Sequence, residues 1–359
     1  MKFNILVIFT LLFISSCSFK NNTGVIIETS PVDSIQMRSL PYISSWSINY
    51  SLDSNSEINV AYIDSKRRNI FVVNRLSNVI DSFPFPKQIS GEQVILEYQD
   101  KKVTIFSLSD NMVIKLNKNE SVTHVVANKN LFLHPMFANF ELLNNTALFF
   151  QIPFNSQETP RDKDGYPDMN ILGIYGLQND TFVLKKSYIK YPRVFQDLKY
   201  SESPPVCNRK NENELYYLFD FSDSLSYIDM RTDKLTNYFI EGLPKCKIST
   251  FSKDSVGILS NAKHLALKNE IFAKILFDKH SSDFIIIKEL GIDEEKSNSI
   301  YQNTFKDKPV IVYLVRNFKV IKTFKLTNAS SISSIRSYYF KSKLYISSLD
   351  YSKIYIYNI

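Results

Sequence analysis

The run from Glu214 to Ile240 limits the fold more than any other stretch of the chain. Glu214-Leu215-Tyr216-Tyr217-Leu218-Phe219 is aromatic and aliphatic, and Asp220 to Asp223 reads as a turn. Ser224-Leu225-Ser226-Tyr227-Ile228-Asp229 alternates polar and apolar side chains with the period of two that a half-buried strand needs. Met230 to Lys234 turns again, and Leu235 to Ile240 closes the unit. Parallel strands need a crossover of about a dozen residues or more, so strands joined by links this short form an antiparallel meander.

The rhythm recurs. Ile58 to Ile63, Asn69 to Asn74 and Val79 to Phe83 form one copy; Val94 to Tyr98, Val103 to Leu108 and Met112 to Leu116 form another. Ala147 to Ile152, Ile171 to Tyr175 and Phe182 to Tyr188 make a third. Later come Phe284 to Lys288, Val310 to Val315 and Val320 to Leu326, and the chain ends with Leu344 to Ser348 and Ile354 to Tyr357. A shorter apolar segment precedes each triplet, as Leu131 to Phe137 and Ile271 to Phe277 do, giving four strands per unit. Four-stranded antiparallel units of about 40 to 50 residues predict a β-propeller, all-β and six-bladed, over residues 25–359. The final unit lacks its fourth strand, and Val25 to Met37 is placed to supply it. A β-sandwich or two stacked meanders is the alternative. Lys253 to Lys268 breaks the strand pattern and reads as a short helix or irregular crossover.

Composition supports a packed domain. The chain is 44% hydrophobic and 14% aromatic, enough for a substantial core, and its β-branched and aromatic enrichment favours strands. The net charge of +7 comes from Lys and Arg spread along the chain, whereas a nucleic-acid binder concentrates them. No nucleic-acid partner is expected. An anionic membrane surface or polysaccharide suits that charge better.

The N-terminus states an address. Lys2 precedes an apolar stretch from Phe3 to Ile14, too short for a span of about 20 residues. Ile14-Ser15-Ser16-Cys17 then ends the segment as a bacterial lipobox does. Residues 1–16 are read as a lipoprotein signal peptide, Cys17 as the acylated first mature residue, and 17–24 as a polar tether. An ordinary signal peptide with a chance cysteine is the alternative. Acyl chains contribute roughly 0.8 kcal/mol per buried methylene and hold a domain on the membrane. The tether Ser18 to Gly24 has no acidic residue, which favours the periplasmic face of the outer membrane over the cell exterior.

Phe277-Asp278-Lys279-His280, Phe284-Ile285-Ile286-Ile287-Lys288, Val310-Ile311-Val312-Tyr313 and Asn317-Phe318-Lys319-Val320-Ile321 together resemble a family of uncharacterised Bacteroidetes propeller lipoproteins. Tyr166-Pro167 and Tyr191-Pro192 match tyrosine–proline pairs of that family, while His280 and Phe284 stand where it has proline and tyrosine. The family is a domain of unknown function. The resemblance implies a propeller fold and an envelope address, and no catalytic residue.

Motifs for chemistry are sparse. His124, His134, His264 and His280 lie far apart without paired spacing. Cys207 and Cys246 belong to no metal or redox motif, and in an oxidising compartment either a disulfide or two buried thiols fits them. Asp162, Asp164 and Asp168 resemble part of a calcium loop, but Pro160 occupies the first ligand position, and Arg161 and Lys163 dilute the charge. Asp33-Ser34-Ile35, Asp223-Ser224-Leu225 and Asp254-Ser255-Val256 resemble a bacterial O-glycosylation sequon and equally fit turns. With Trp46 the only tryptophan, sialidase and quinoprotein blade signatures are absent. No catalytic residue, cofactor or metal is expected. The sequence favours a lipid-anchored, non-enzymatic binding or scaffold propeller with an envelope protein or glycan as partner. An enzyme acting on polysaccharide or glycan is the alternative, and a structural subunit of an envelope complex a third reading.

Overall fold

The computed structural model describes residues 25–37, 48–53, 55–64, 66–90, 94–107, 110–118, 120–126, 131–134, 142–143, 146–153, 170–190, 205–211, 213–248, 268–278, 281–292, 308–329, 337–348 and 352–359. The lipobox and tether therefore lie outside the described residues, as does nearly all of the irregular stretch from Lys253.

Two short strands open the fold, β1 (Ile26–Thr29) and β2 (Asp33–Gln36). A meander of β3 (Ile48–Leu52), β4 (Ile58–Ile63), β5 (Asn69–Asn74) and β6 (Val79–Pro84) follows. Next come β7 (Val94–Gln99), β8 (Lys102–Ser107), β9 (Met112–Asn117) and β10 (Glu120–Val126). After them stand β11 (Leu131–His134), β12 (Leu142–Leu143), β13 (Thr146–Pro153), β14 (Asn170–Gln178) and β15 (Thr181–Lys190). β16 (Val206–Asn211), β17 (Glu214–Leu218), β18 (Ser224–Asp229) and β19 (Lys234–Phe239) form a sheet in chain order. β20 (Ile271–Phe277), β21 (Phe284–Glu289), β22 (Val310–Arg316) and β23 (Lys319–Leu326) do the same, before β24 (Ser337–Phe340), β25 (Lys343–Ser347) and β26 (Lys353–Asn358).

Core packing arranges these meanders in a ring. Ile70 and Val72 of β5 pack with Val103 and Ile105 of β8, and Phe106 with Tyr175 and Phe182. Ile171 and Leu172 pack with Leu215 and Tyr217, Leu218 and Leu225 with Phe272 and Ile286. Ile285 and Val312 meet Leu344 and Ile346, and Ile354 and Ile356 return to Ile58 and Val60. Each meander thus buries one face against the next, and the last against the first. That closed circuit makes an all-β propeller of four-stranded antiparallel blades. First strands of successive units are neighbours: Tyr98 N–H donates to Asn49 Oδ1 at 3.1 Å, and Asn208 Nδ2 donates to the Ile275 carbonyl at 2.7 Å.

The count of blades is corrected. The described strands form five sheets rather than the expected six. One has nine strands, because β10 and β15 pair in parallel through Val125 with Thr181 and Val126 with Phe182, fusing two meanders. The position of the extra strand is corrected too. β10 follows the triplet β7–β9 instead of preceding it, and most of its side chains are exposed. An outer strand with little to bury carries a weak apolar signal.

The N-terminal segment closes the ring as its position suggested. β2 pairs antiparallel with β26, Ile35 opposite Ile354, and both residues are fully buried. β1 does something the pattern did not predict: it adds to β23 in parallel, making that sheet five-stranded.

Candidate functional site

The sheet β16–β19 carries two polar sites at its opposite ends. At one end the β16–β17 hairpin and the β18–β19 turn meet, since Glu214 pairs with Asp229 and Met230 N–H donates to the Asn213 carbonyl at 2.8 Å. Between them opens a cleft of about 280 Å³ lined by Asn211, Asn213, Glu214 and Arg231. Its walls are fixed locally. Asn211 Oδ1 accepts from Asn213 N–H at 2.9 Å, and Arg231 donates Nε and Nη2 to the two Asp229 oxygens, each at 3.3 Å. The guanidinium beside it holds the Asp229 carboxyl below the usual range. A general acid for glycoside hydrolysis needs the opposite shift.

Aromatic side chains run along the sheet from this end. Tyr216 O–H reaches Glu214 Oε2 at 3.4 Å, and burial, then the Glu214 charge, pushes its phenol well up. Six rings make a closed circuit between this sheet and the next: Tyr216–Tyr227 at 5.0 Å, Tyr227–Tyr238 at 6.3 Å, Tyr238–Phe318 at 4.2 Å, Phe318–Phe284 at 6.3 Å, Phe284–Phe277 at 5.3 Å and Phe277–Tyr216 at 4.7 Å. These spacings are those of offset and edge-on aromatic pairs, which rigidify whatever they support. The cleft therefore offers amide donors and acceptors, one carboxylate and one guanidinium paired with Asp229.

At the other end of the sheet, the β17–β18 turn holds Asp220, a half-buried residue with its carboxyl turned inward. Its Oδ1 accepts from Phe272 N–H at 2.7 Å, and its carbonyl accepts from Cys246 N–H at 3.0 Å. Burial pushes its carboxyl up to about 7, against the lowering effects of the Phe272 N–H, Lys308 and Lys288. Lys288 Nζ pairs with Glu270 at 2.7 Å and donates to the Lys245 carbonyl at 3.1 Å, while Lys308 Nζ donates to the Asn269 carbonyl at 2.8 Å. Lys288 and Lys308 are both buried, and burial lowers the Lys308 ammonium. Backbones crowd here: a Cβ on Gly291 would lie 1.9 Å from the Lys268 carbonyl oxygen. The cluster ties the segment after β19 to the starts of β20 and β22 and to the end of β21. It is a clamp between neighbouring sheets.

With fold and site in view, comparison with known proteins is informative at one level. The chain is similar to a member of the DUF4221 family from Bacteroides vulgatus, with a TM-score of 0.68 at 14% identity, covering 92% of this chain and 97% of that one. That likeness is one of fold. The β-propeller domain of Cps50 (Swd1) from Myceliophteria thermophila gives a TM-score of 0.42 at 8% identity, covering 92% and 99% of the two chains. A luciferin-regenerating enzyme gives 0.42 at 11% identity, covering 91% and 94%. No family model matches the sequence, and no curated protein matches it.

The residues nominated from sequence are scattered. Cys17 lies outside the described residues, as do Asp162, Asp164, Asp168, His264, His280, Tyr166-Pro167, Tyr191-Pro192 and Asp254-Ser255-Val256. Cys207 and Cys246 are buried in two different core clusters and form no disulfide, so the two-thiol alternative holds. His124 is buried in β10, its Nδ1 3.6 Å from Asp180 Oδ1 and its ring edge-on to Phe182. Burial, then the Lys115 charge, lowers its pKa. Asp33-Ser34-Ile35 is strand rather than turn, and Asp223-Ser224-Leu225 leads a turn into β18. Among the described residues no group of three or more His, Cys, Asp or Glu could hold a metal ion. Sequence reasoning missed both polar ends of β16–β19. Asn211, Asn213, Glu214 and Arg231 fit no motif, and Asp220 looked like an ordinary turn residue.

Proposed function

We propose that this chain is a lipid-anchored envelope protein that binds a polar ligand without turning it over, and that the cleft between Asn211, Asn213, Glu214 and Arg231 is where it binds. The observation that carries the reading is the Arg231–Asp229 pair at the cleft: a guanidinium oriented by Asp229 presents its remaining donors to a hydroxyl-rich or carboxylate-bearing ligand. An envelope glycan or envelope protein segment fits that chemistry, and nucleic acid is left out because basic residues are dispersed. Acylation at Cys17 anchors the domain at the outer membrane, on its periplasmic face. The likeness in fold to the Bacteroides protein assigns neither an address nor an activity.

The test is retention of fractionated envelope glycans and proteins on the purified domain, wild type against Arg231→Ala and Glu214→Ala. The reading expects retention that either substitution reduces at least tenfold while the melting temperature holds. Retention unaffected by both substitutions removes the cleft from the account.

A further inference from the structure

We infer that β1 and the chain leading into β2 form a second interaction surface, one that rests on the lipid bilayer itself. The inference rests on the reading of Cys17 as an anchor. Val25, Ile26, Ile27 and Val32 are 70%, 56%, 41% and 56% exposed. Nowhere else on the described surface do four exposed large apolar side chains fall so close together in sequence. Successive strand residues point to opposite faces, so Ile26 and Ile27 leave β1 bare on both sides. Among the described strands β1 is also the last of its sheet, with one edge unpaired. Soluble proteins blunt such an edge with charge, proline or a covering element. Here the strand keeps two isoleucines instead.

The bilayer is the occupant favoured by chain length and charge. Seven residues separate Cys17 from Val25, and over the eight steps between them, at about 3.5 Å each, the tether spans no more than roughly 28 Å. An acylated Cys17 keeps β1 within that distance of the headgroups while leaving the far side of the ring free. The one acidic residue on β1, Glu28, is paired with Lys325 at 2.8 Å. The register that sets Ile26 opposite Thr323 puts exposed Lys322 beside Val25, and Lys322 makes no ion pair among the described residues. A rim with apolar side chains, a neutralised carboxylate and a free ammonium suits the interface of an anionic membrane, where headgroups and water satisfy the open strand edge. With β1 down on the lipid, the direction in which the ring faces is fixed.

The experiment replaces the acyl anchor so that the two readings fail separately. Residues 18–359 with an N-terminal histidine tag are tethered to vesicles of phosphatidylethanolamine and phosphatidylglycerol bearing a nickel-chelating lipid. An environment-sensitive fluorophore is placed at Ile26→Cys or Val32→Cys, and at Val122→Cys or Leu184→Cys as controls elsewhere on the ring; Cys207 and Cys246 are buried and stay unlabelled. The inference expects labels at 26 and 32 to shift to the blue and lose most of their emission to a lipid-borne nitroxide, with labels at 122 and 184 unaffected. Labels at 26 that stay in water, or quenching equal at all four sites, overturn it. So does burial of the 26 label by self-association in solution without vesicles, which assigns the edge to a second copy of the chain. Acylation is read independently, by the mass of the N-terminal peptide from native membranes.

Discussion

Phe318 lies flat on Tyr238, ring centroids 4.2 Å apart and planes 8° from parallel, although its backbone φ of 58° is one that bulky residues rarely adopt. Asn317 and Phe318 form the two-residue turn between β22 and β23, with φ of 49° and 58°, the pattern glycine and asparagine usually supply. The stack and the docking of this turn on the preceding sheet hold it there: Glu241 N–H donates to the Phe318 carbonyl at 2.9 Å, and Val320 N–H donates to the Glu241 carbonyl at 2.9 Å.

Substitution at this turn therefore has an unusual order. Phe318→Ala loses the stack and keeps the strained backbone, costing about 2 kcal/mol. Phe318→Gly loses the same stack but releases roughly 1 kcal/mol of left-handed strain, so it should be the more stable of the two. Urea denaturation of both variants checks this. Alanine more stable than glycine would mean the turn is not strained.

Ring closure is tested by contrasting the two N-terminal strands. Ile35 is buried against Ile354 and Ile356, and Ile35→Ala should cost about 3 kcal/mol, the usual loss for a buried isoleucine. Ile26, on exposed β1, should cost less than about 0.5 kcal/mol on the same change. Thermal melts showing equal, small losses at both positions would indicate a ring that closes without β2.

The amount of fold legible in the sequence varied with burial. Ile58–Ile63, Asn69–Asn74 and Ser224–Asp229 are strands with the bounds that their apolar content predicted, because each must bury at least one face. The parallel pairing of β1 and the place of β10 escaped notice because both strands expose most of their side chains and so carry no burial pattern. The merging of two blades into nine strands depends on a contact of two residues from each of β10 and β15, which leaves no periodic trace. Asp220 lies in a turn, Lys288 in β21 and Lys308 just before β22, and only the packing of adjacent sheets brings them together. Cys17 lies outside the described residues, and its reading as an anchor rests on local sequence alone.

The Asp220 clamp makes stability depend on pH with a definite sign. Its native carboxyl titrates at about 7, above the ordinary value of 3.8, so the folded state holds a proton that the unfolded chain has already lost between those values. Stability attributable to this group is present in full below about pH 4, declines as pH rises toward 7, and is flat above, with a slope of at most roughly 1.4 kcal/mol per pH unit. Asp220→Asn keeps an acceptor for Phe272 N–H and should remove that slope, gaining on wild type as pH rises. Chemical denaturation of both proteins from pH 4 to 8 is the check, and parallel curves would show that Asp220 does not titrate there.

The most direct test of the central claim compares a captured ligand before and after contact with the protein. Envelope glycans and peptides retained by the wild-type domain, but not by Arg231→Ala, are eluted and weighed by mass spectrometry. The account predicts retention through the cleft and ligands recovered at unchanged mass after prolonged incubation. Shortened or otherwise altered ligands, no longer produced by Glu214→Gln, would contradict it and make the cleft an active site.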